Sequence, residues 1–214
     1  MLLLFGVVWG NDPSPFYGGY GYIDQAVPAL TALIVGTVGF MSVPVATASA
    51  REHKILRRYR ATPLRSSTYL AAEVSVYFLL ALVSMFLLVV VGTLLFGLRF
   101  DGSWLAVLAG FTLSALAFVS AGYVIAGLAP TSRAAQVVGQ LIFFPMMFLS
   151  GASIPLQIMP ESVQNAAAWL PMTQMVKMLQ GLWFGQGWNL TGLAVTLAVM
   201  VVGTLIAIPT FRWE

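Results

Sequence analysis

Residues 49 to 68 read SAREHKILRRYRATPLRSST, and no other stretch constrains the fold as strongly. Arg51, Lys54, Arg57, Arg58, Arg60 and Arg65 crowd there against a single acid, Glu52. A run this basic does not cross a bilayer, so it stays on one side and marks that side as the cytoplasm. The oily segments that flank it must therefore be membrane spans.

The stretch has a helical pattern of its own. Ser49 with Glu52 three residues on reads as a capping box, Ile55, Leu56 and Tyr59 make a short apolar face, and Pro63 is a stop. A short basic amphipathic helix beginning at Ser49 is expected. Two roles fit it: a topology signal whose cations rest on anionic headgroups, or a docking surface for a cytoplasmic partner.

Of the 214 residues 59% are hydrophobic and 8% charged, which places the chain among polytopic membrane proteins. The net charge of +3 lies mostly in that one loop, and no soluble domain is present to read a nucleic acid groove, so nucleic acid is set aside. Cysteine is absent, which removes disulfide and thiolate chemistry.

Taken in order, residues 1–9 are apolar but too short to cross a hydrocarbon core about 30 Å thick, so they read as the outer end of a helix. Gly6 and Gly10 make a GxxxG spacing. Residues 10–25 are rich in Gly, Pro and Tyr and carry Asp12 and Asp24, which suits an exterior loop with an aromatic belt. Full spans are expected at 26–50, with a kink at Pro44, and at 69–98, 104–129, 134–150 and 190–209. Glu73 is expected in the first turn of the second of these, where it reaches the interface or complements the helix N-terminus.

Residues 152–188 form an exterior or re-entrant region. Met172, Met175, Val176, Leu179 and Trp183 recur there at helical spacing, which predicts an amphipathic helix lying in or dipping into the outer leaflet, its stripe a packing face. Placing residues 51–65 inside puts Arg133 and Arg212 inside as well, leaving Arg99 and Lys177 outside and the C terminus in the cytoplasm.

The polar inventory excludes several chemistries. The two lysines, Lys54 and Lys177, follow His53 and Val176, so GxxxxGK(S/T) is absent and no P-loop holds ATP. His53 is the sole histidine, which leaves no multi-histidine metal site and no candidate catalytic residue of that kind. The spans lack the paired ionisable groups that ion-coupled carriers place near the midplane. Energy for active transport must come from another chain. A nucleotide-independent channel or carrier is the alternative, and a lipid-acting enzyme lacks candidate acids, bases and nucleophiles.

The order of a span, cytoplasmic REHKILRRYRATPL, a span, and later FPMMFLSGASIPLQIMPESVQNAAAWLPMTQMVKMLQGLW resembles the permease subunit of ABC-2 type exporters, a group that includes drug- and antibiotic-export permeases. The resemblance covers residues 26–214. It implies an all-α integral membrane fold of six transmembrane helices, here five full spans plus a truncated first helix, with two protomers side by side in a prokaryotic plasma membrane. Two separate ATPase subunits would carry ATP and Mg. It further implies that Arg51, Glu52, His53, Lys54, Arg57, Arg58 and Tyr59 form the coupling contact with the ATPase. Ser153, Pro155, Pro160, Pro171, Met172, Met175, Leu179 and Trp183 would belong to re-entrant helices at the outer mouth. The family's first helix begins with a cytoplasmic amphipathic segment, and here it is cut to residues 1–9, which implies a late start site or a truncated, non-transporting paralogue.

Overall fold

The computed structural model describes residues 2–55 and 66–210, and among them every regular element is a helix. In chain order these are α1 (Leu2–Trp9), α2 (Tyr22–Glu52), α3 (Ser66–Phe96), α4 (Trp104–Leu128), α5 (Ser132–Leu149), α6 (Glu161–Ala167), α7 (Pro171–Trp183) and α8 (Leu190–Thr210). Short 3-10 turns lie at Pro15–Tyr17 and Leu156–Ile158. Five helices, α2, α3, α4, α5 and α8, are long and apolar enough to cross a membrane.

The bundle is built around α2, the most buried of the five spans. Several hydroxyls within the spans bond their own helix one turn back, as Thr31 does to the Val27 carbonyl at 2.9 Å and Thr196 to that of Gly192 at 2.7 Å. This satisfies them where water is absent. At Pro44, the site of the expected kink, the helix stays continuous but carries a π turn, Val38–Ser42, directly before the proline. Proline has no N–H to donate, so helical carbonyls one turn back lose a partner. The carbonyls of Gly39 and Phe40 lie there, against Gly122 of α4 and Gly139 of α5, where a Cβ on either glycine would collide with the oxygen.

The structure revises four expectations. Residues 22–25 are not loop but the start of α2, because Asp24 at the third helical position accepts a hydrogen bond from the Gly21 N–H at 2.9 Å and caps the helix. No new helix begins at Ser49: α2 runs unbroken to Glu52, with the Ser49 carbonyl accepting from the His53 N–H at 3.0 Å, and the chain turns at Lys54, whose φ is 57°. The remainder of the expected basic helix lies outside the described residues. Glu73 is the eighth residue of α3 rather than in its first turn, because that helix begins at Ser66.

The fourth revision is the largest. Of the two placements expected for it, helix α7 does not lie flat but dips in, and it goes further than expected, driven into the bundle between α2, α4 and α8. Met172, Thr173, Met175, Val176, Met178, Leu179 and Trp183 are all at most 1% exposed, and only Lys177 of this helix stands in the open. Met172 packs against Gly36, about 21 Å down α2 from Tyr22 at about 1.5 Å per residue, so α7 starts about halfway along the bundle and runs back toward the end where α2 begins. Gly110 of α4 and Gly192 of α8 make room for it against Leu182 and Met178. Gly92, Gly110 and Gly122 all face neighbouring side chains or backbone within the bundle, and Gly6 of the GxxxG pair faces the Phe96 ring.

Candidate functional site

At the end of the bundle that carries the basic stretch, Arg51 and Glu52 complete the last turn of α2 and reach in opposite senses. The Arg51 guanidinium donates to the Ala126 carbonyl at 3.1 Å and to that of Ala129, the final carbonyls of α4. Glu52 Oε2 accepts from the Ser132 hydroxyl at 2.6 Å and the Ser132 N–H at 3.2 Å, at the first residue of α5. A cation on a helix C-terminus and an anion on a helix N-terminus both complement the backbone dipole. The Arg-Glu pair thus clamps the α4–α5 turn to the end of α2.

The remaining predicted residues of this group separate. His53 is exposed, with Nδ1 2.9 Å from the Ser49 carbonyl oxygen, and Lys54 is exposed at the turn. Arg57, Arg58 and Tyr59 lie outside the described residues.

About one turn along α2 from the clamp, a second polar node joins α2 and α4 to α3. Thr47 of α2 donates to Glu73 Oε1 at 3.3 Å and Tyr123 of α4 donates to Glu73 Oε2 at 3.2 Å. A carboxylate inside a membrane protein needs such donors, and here it ties α2, α3 and α4 together. Sequence reasoning identified Glu73 but not its partners, because nothing local in a chain tells which hydroxyl of another span will face it.

The opposite end is knitted by Asp24, which is fully buried. Besides the Gly21 N–H it accepts from Asn11 Nδ2 at 2.9 Å and from the Arg99 N–H at 2.8 Å, and Asn11 Oδ1 accepts in return from the Asp24 N–H at 3.2 Å. Trp183 Nε1 donates to the Arg99 carbonyl at 3.0 Å, so the end of α7 hangs on the same turn. The rings of Phe100, Trp104 and Trp183 pack there at 4.0 to 5.6 Å between centroids. Tyr20 donates to Asp101 Oδ2 at 2.8 Å, and that bond, with the nearby negative charge, holds the Tyr20 phenol above its ordinary pKa.

Between this knot and the connection from α5 to α6 opens a cleft of about 690 Å³, walled by Trp9, Asp12, Tyr17 and Tyr22 on one side and by Ser153, Ile154, Pro155 and Ile158 on the other. A smaller cavity of about 50 Å³, lined in part by the same Tyr17, Tyr22, Ser153 and Pro155, lies toward Gln25, Val176 and Gln180. Of the residues predicted for the outer mouth, Ser153 and Pro155 line this cleft. Pro160 and Pro171 open α6 and α7, while Met172, Met175, Leu179 and Trp183 are core. The aromatic wall escaped sequence reasoning, since the tyrosines read equally well as an interfacial belt.

A family model for an ABC-2 family transporter protein matches residues 11–208. The chain belongs to the ABC-2 transporter family. Among relatives of this ABC-2 chain, the inner membrane transport permease YhhJ of Escherichia coli (strain K12) is 24% identical over 205 residues, covering 95% of this chain and 52% of YhhJ. Nodulation protein J of Rhizobium leguminosarum bv. viciae is 35% identical over 86 residues, covering 39% of this chain and 33% of that protein. Nodulation protein J of Bradyrhizobium diazoefficiens is 34% identical over 88 residues, covering 40% of this chain and 34% of it. The ABC-2 chain spans about half the length of YhhJ.

Proposed function

We propose that this chain is the membrane-spanning subunit of an ATP-binding cassette exporter that moves an apolar or amphipathic compound outward, driven by ATP hydrolysis on two separate ATPase subunits. It acts beside a second permease protomer, with the basic stretch and the C terminus on the cytoplasmic side of the plasma membrane. The observation that carries the reading is the Arg51–Glu52 clamp. It places the chain entering the basic stretch in register with α2, α4 and α5, so that a push delivered there by an ATPase moves three spans as one body. Drug or antibiotic cargo suits spans whose walls carry so few charges.

The test begins with co-purification of the chain and its cognate ATPase in detergent. Arg57→Glu with Arg58→Glu reverses the charge of the docking stretch and abolishes association; a complex that survives the double change removes the docking assignment. Arg51→Ala separates docking from transmission. It leaves the ATPase bound but lowers cargo efflux about ten-fold or more, the value of about 1.5–3 kcal/mol lost with a charged hydrogen bond. Undiminished efflux would show that the clamp transmits nothing.

A further inference from the structure

The outer cleft has a chemistry that export alone does not call for. Trp9 stacks on Tyr22 with centroids 5.7 Å apart and planes at 25°, and Tyr17 stands edge-on to Tyr22 at 6.1 Å and 66°. Trp9 is 62% exposed, so the indole face turned away from Tyr22 is open. Asp12 lies on the same wall, and its carboxylate makes no hydrogen bond or ion pair with any described residue, whereas Asp24 and Asp101 are both engaged. Ser153 adds a buried hydroxyl without a partner among the described residues. Among the described residues, no lysine, arginine or histidine lines the cleft.

We propose that this cleft binds lipophilic organic cations, such as quaternary ammonium or phosphonium groups. A cation over an indole or phenol face is attracted by the ring quadrupole. Asp12 adds a full opposite charge, and Ile154, Pro155 and Ile158 receive the apolar substituents. The volume of about 690 Å³ is in the range that holds a drug-sized molecule. The same walls disfavour anions, since both the ring faces and the carboxylate are negative. The occupant is either a free cation or the choline head of a lipid, which share this chemistry.

The test uses the purified full chain in phosphatidylglycerol nanodiscs without ATPase or nucleotide, so its result is independent of whether the chain transports. Tetraphenylphosphonium titrated calorimetrically, with empty discs subtracted, binds saturably, and tetraphenylborate, equal in shape and opposite in charge, does not. Asp12→Asn and Trp9→Leu each weaken tetraphenylphosphonium binding about three- to five-fold, the scale of a partly exposed cation–π contact. Both side chains are exposed, so the elution profile of each variant on size exclusion stays that of the parent. Equal binding of the borate, or an affinity unchanged in both variants, overturns the proposal. Discs of phosphatidylcholine then separate the sources: a fall in apparent affinity there identifies the lipid head as occupant, and an unchanged affinity identifies a free cation.

Discussion

Gly122→Leu is expected to prevent accumulation of the folded chain. The residue sits where α4 crosses α2, with the Gly39 carbonyl and the Val43 side chain directly over its Cα. Gly39 is equally confined from the other side by the Phe118 backbone, so neither helix can yield without breaking the crossing. Forcing a side chain into a packed interface costs about 1–3 kcal/mol where flexible side chains can adjust. Here the obstacle is backbone, next to a π turn and a proline that already leave carbonyls short of partners, so the cost lies at or above the top of that range. Membrane expression of Gly122→Leu, followed by fluorescence-detected size exclusion, checks it. Gly139→Ala, which meets the Phe40 carbonyl of the same turn, gives a smaller loss with the same sign. Monodisperse Gly122→Leu at parental yield would mean that α2 and α4 do not cross as described.

Asp24→Ala is expected to loosen the end of the bundle where α2 begins without unfolding the spans. Its carboxylate serves three donors from three places in the chain: Gly21, Asn11 and Arg99. Alanine leaves the Gly21 and Arg99 N–H groups without an acceptor, while the Asn11 amide keeps the Phe96 and Gly97 carbonyls at 3.2 and 3.4 Å, and unpaired buried groups cost about 1–3 kcal/mol each. A total of about 3 kcal/mol is expected, since water reaches part of this end after the loss. The effect should spread along the bonds that share the knot. Arg99 is held by Asp24 and in turn accepts from Trp183, so amide hydrogen exchange is expected to rise in residues 97–103 and at the end of α7, with a lower thermal midpoint in detergent. Asp24→Asn keeps one acceptor oxygen and shows a smaller fall. Unchanged exchange at residues 97–103 would show that the turn is held by the Phe100, Trp104 and Trp183 rings instead.

These two sites differ in how visible they were beforehand. The glycines of α4 were legible as small residues but not by direction, because a glycine marks closeness without naming the neighbour. Asp24 looked like one of two acids in a Gly- and Tyr-rich loop. Its position three residues past Gly21, ahead of an apolar run, was the available signal of a helix start, and only the fold brought Asn11 and Arg99 to it.

The Arg-Glu pair shows the same division inside one motif. Its occurrence beside a cluster of arginines pointed to a cytoplasmic contact surface, and the sequence offered Ser49 as the start of a separate helix. In the folded chain these two side chains serve the α4–α5 turn, because a helix C-terminus and a helix N-terminus arrive within reach of one α2 terminus and each attracts the charge it lacks.

What the amino-acid order determined alone is the number of spans, their approximate ends and the loop that no bilayer admits, because charge and hydropathy act against the membrane locally and at high cost per residue. The tertiary structure decided which apolar faces meet protein and which meet lipid. Lipid tails are as apolar as leucine, so hydropathy cannot distinguish a helix immersed in the bundle from one resting on its rim. Helix α7 carries the pattern of an interfacial helix and yet is core, held there by Gly36, Gly110 and Gly192, which make room for it on three neighbouring spans.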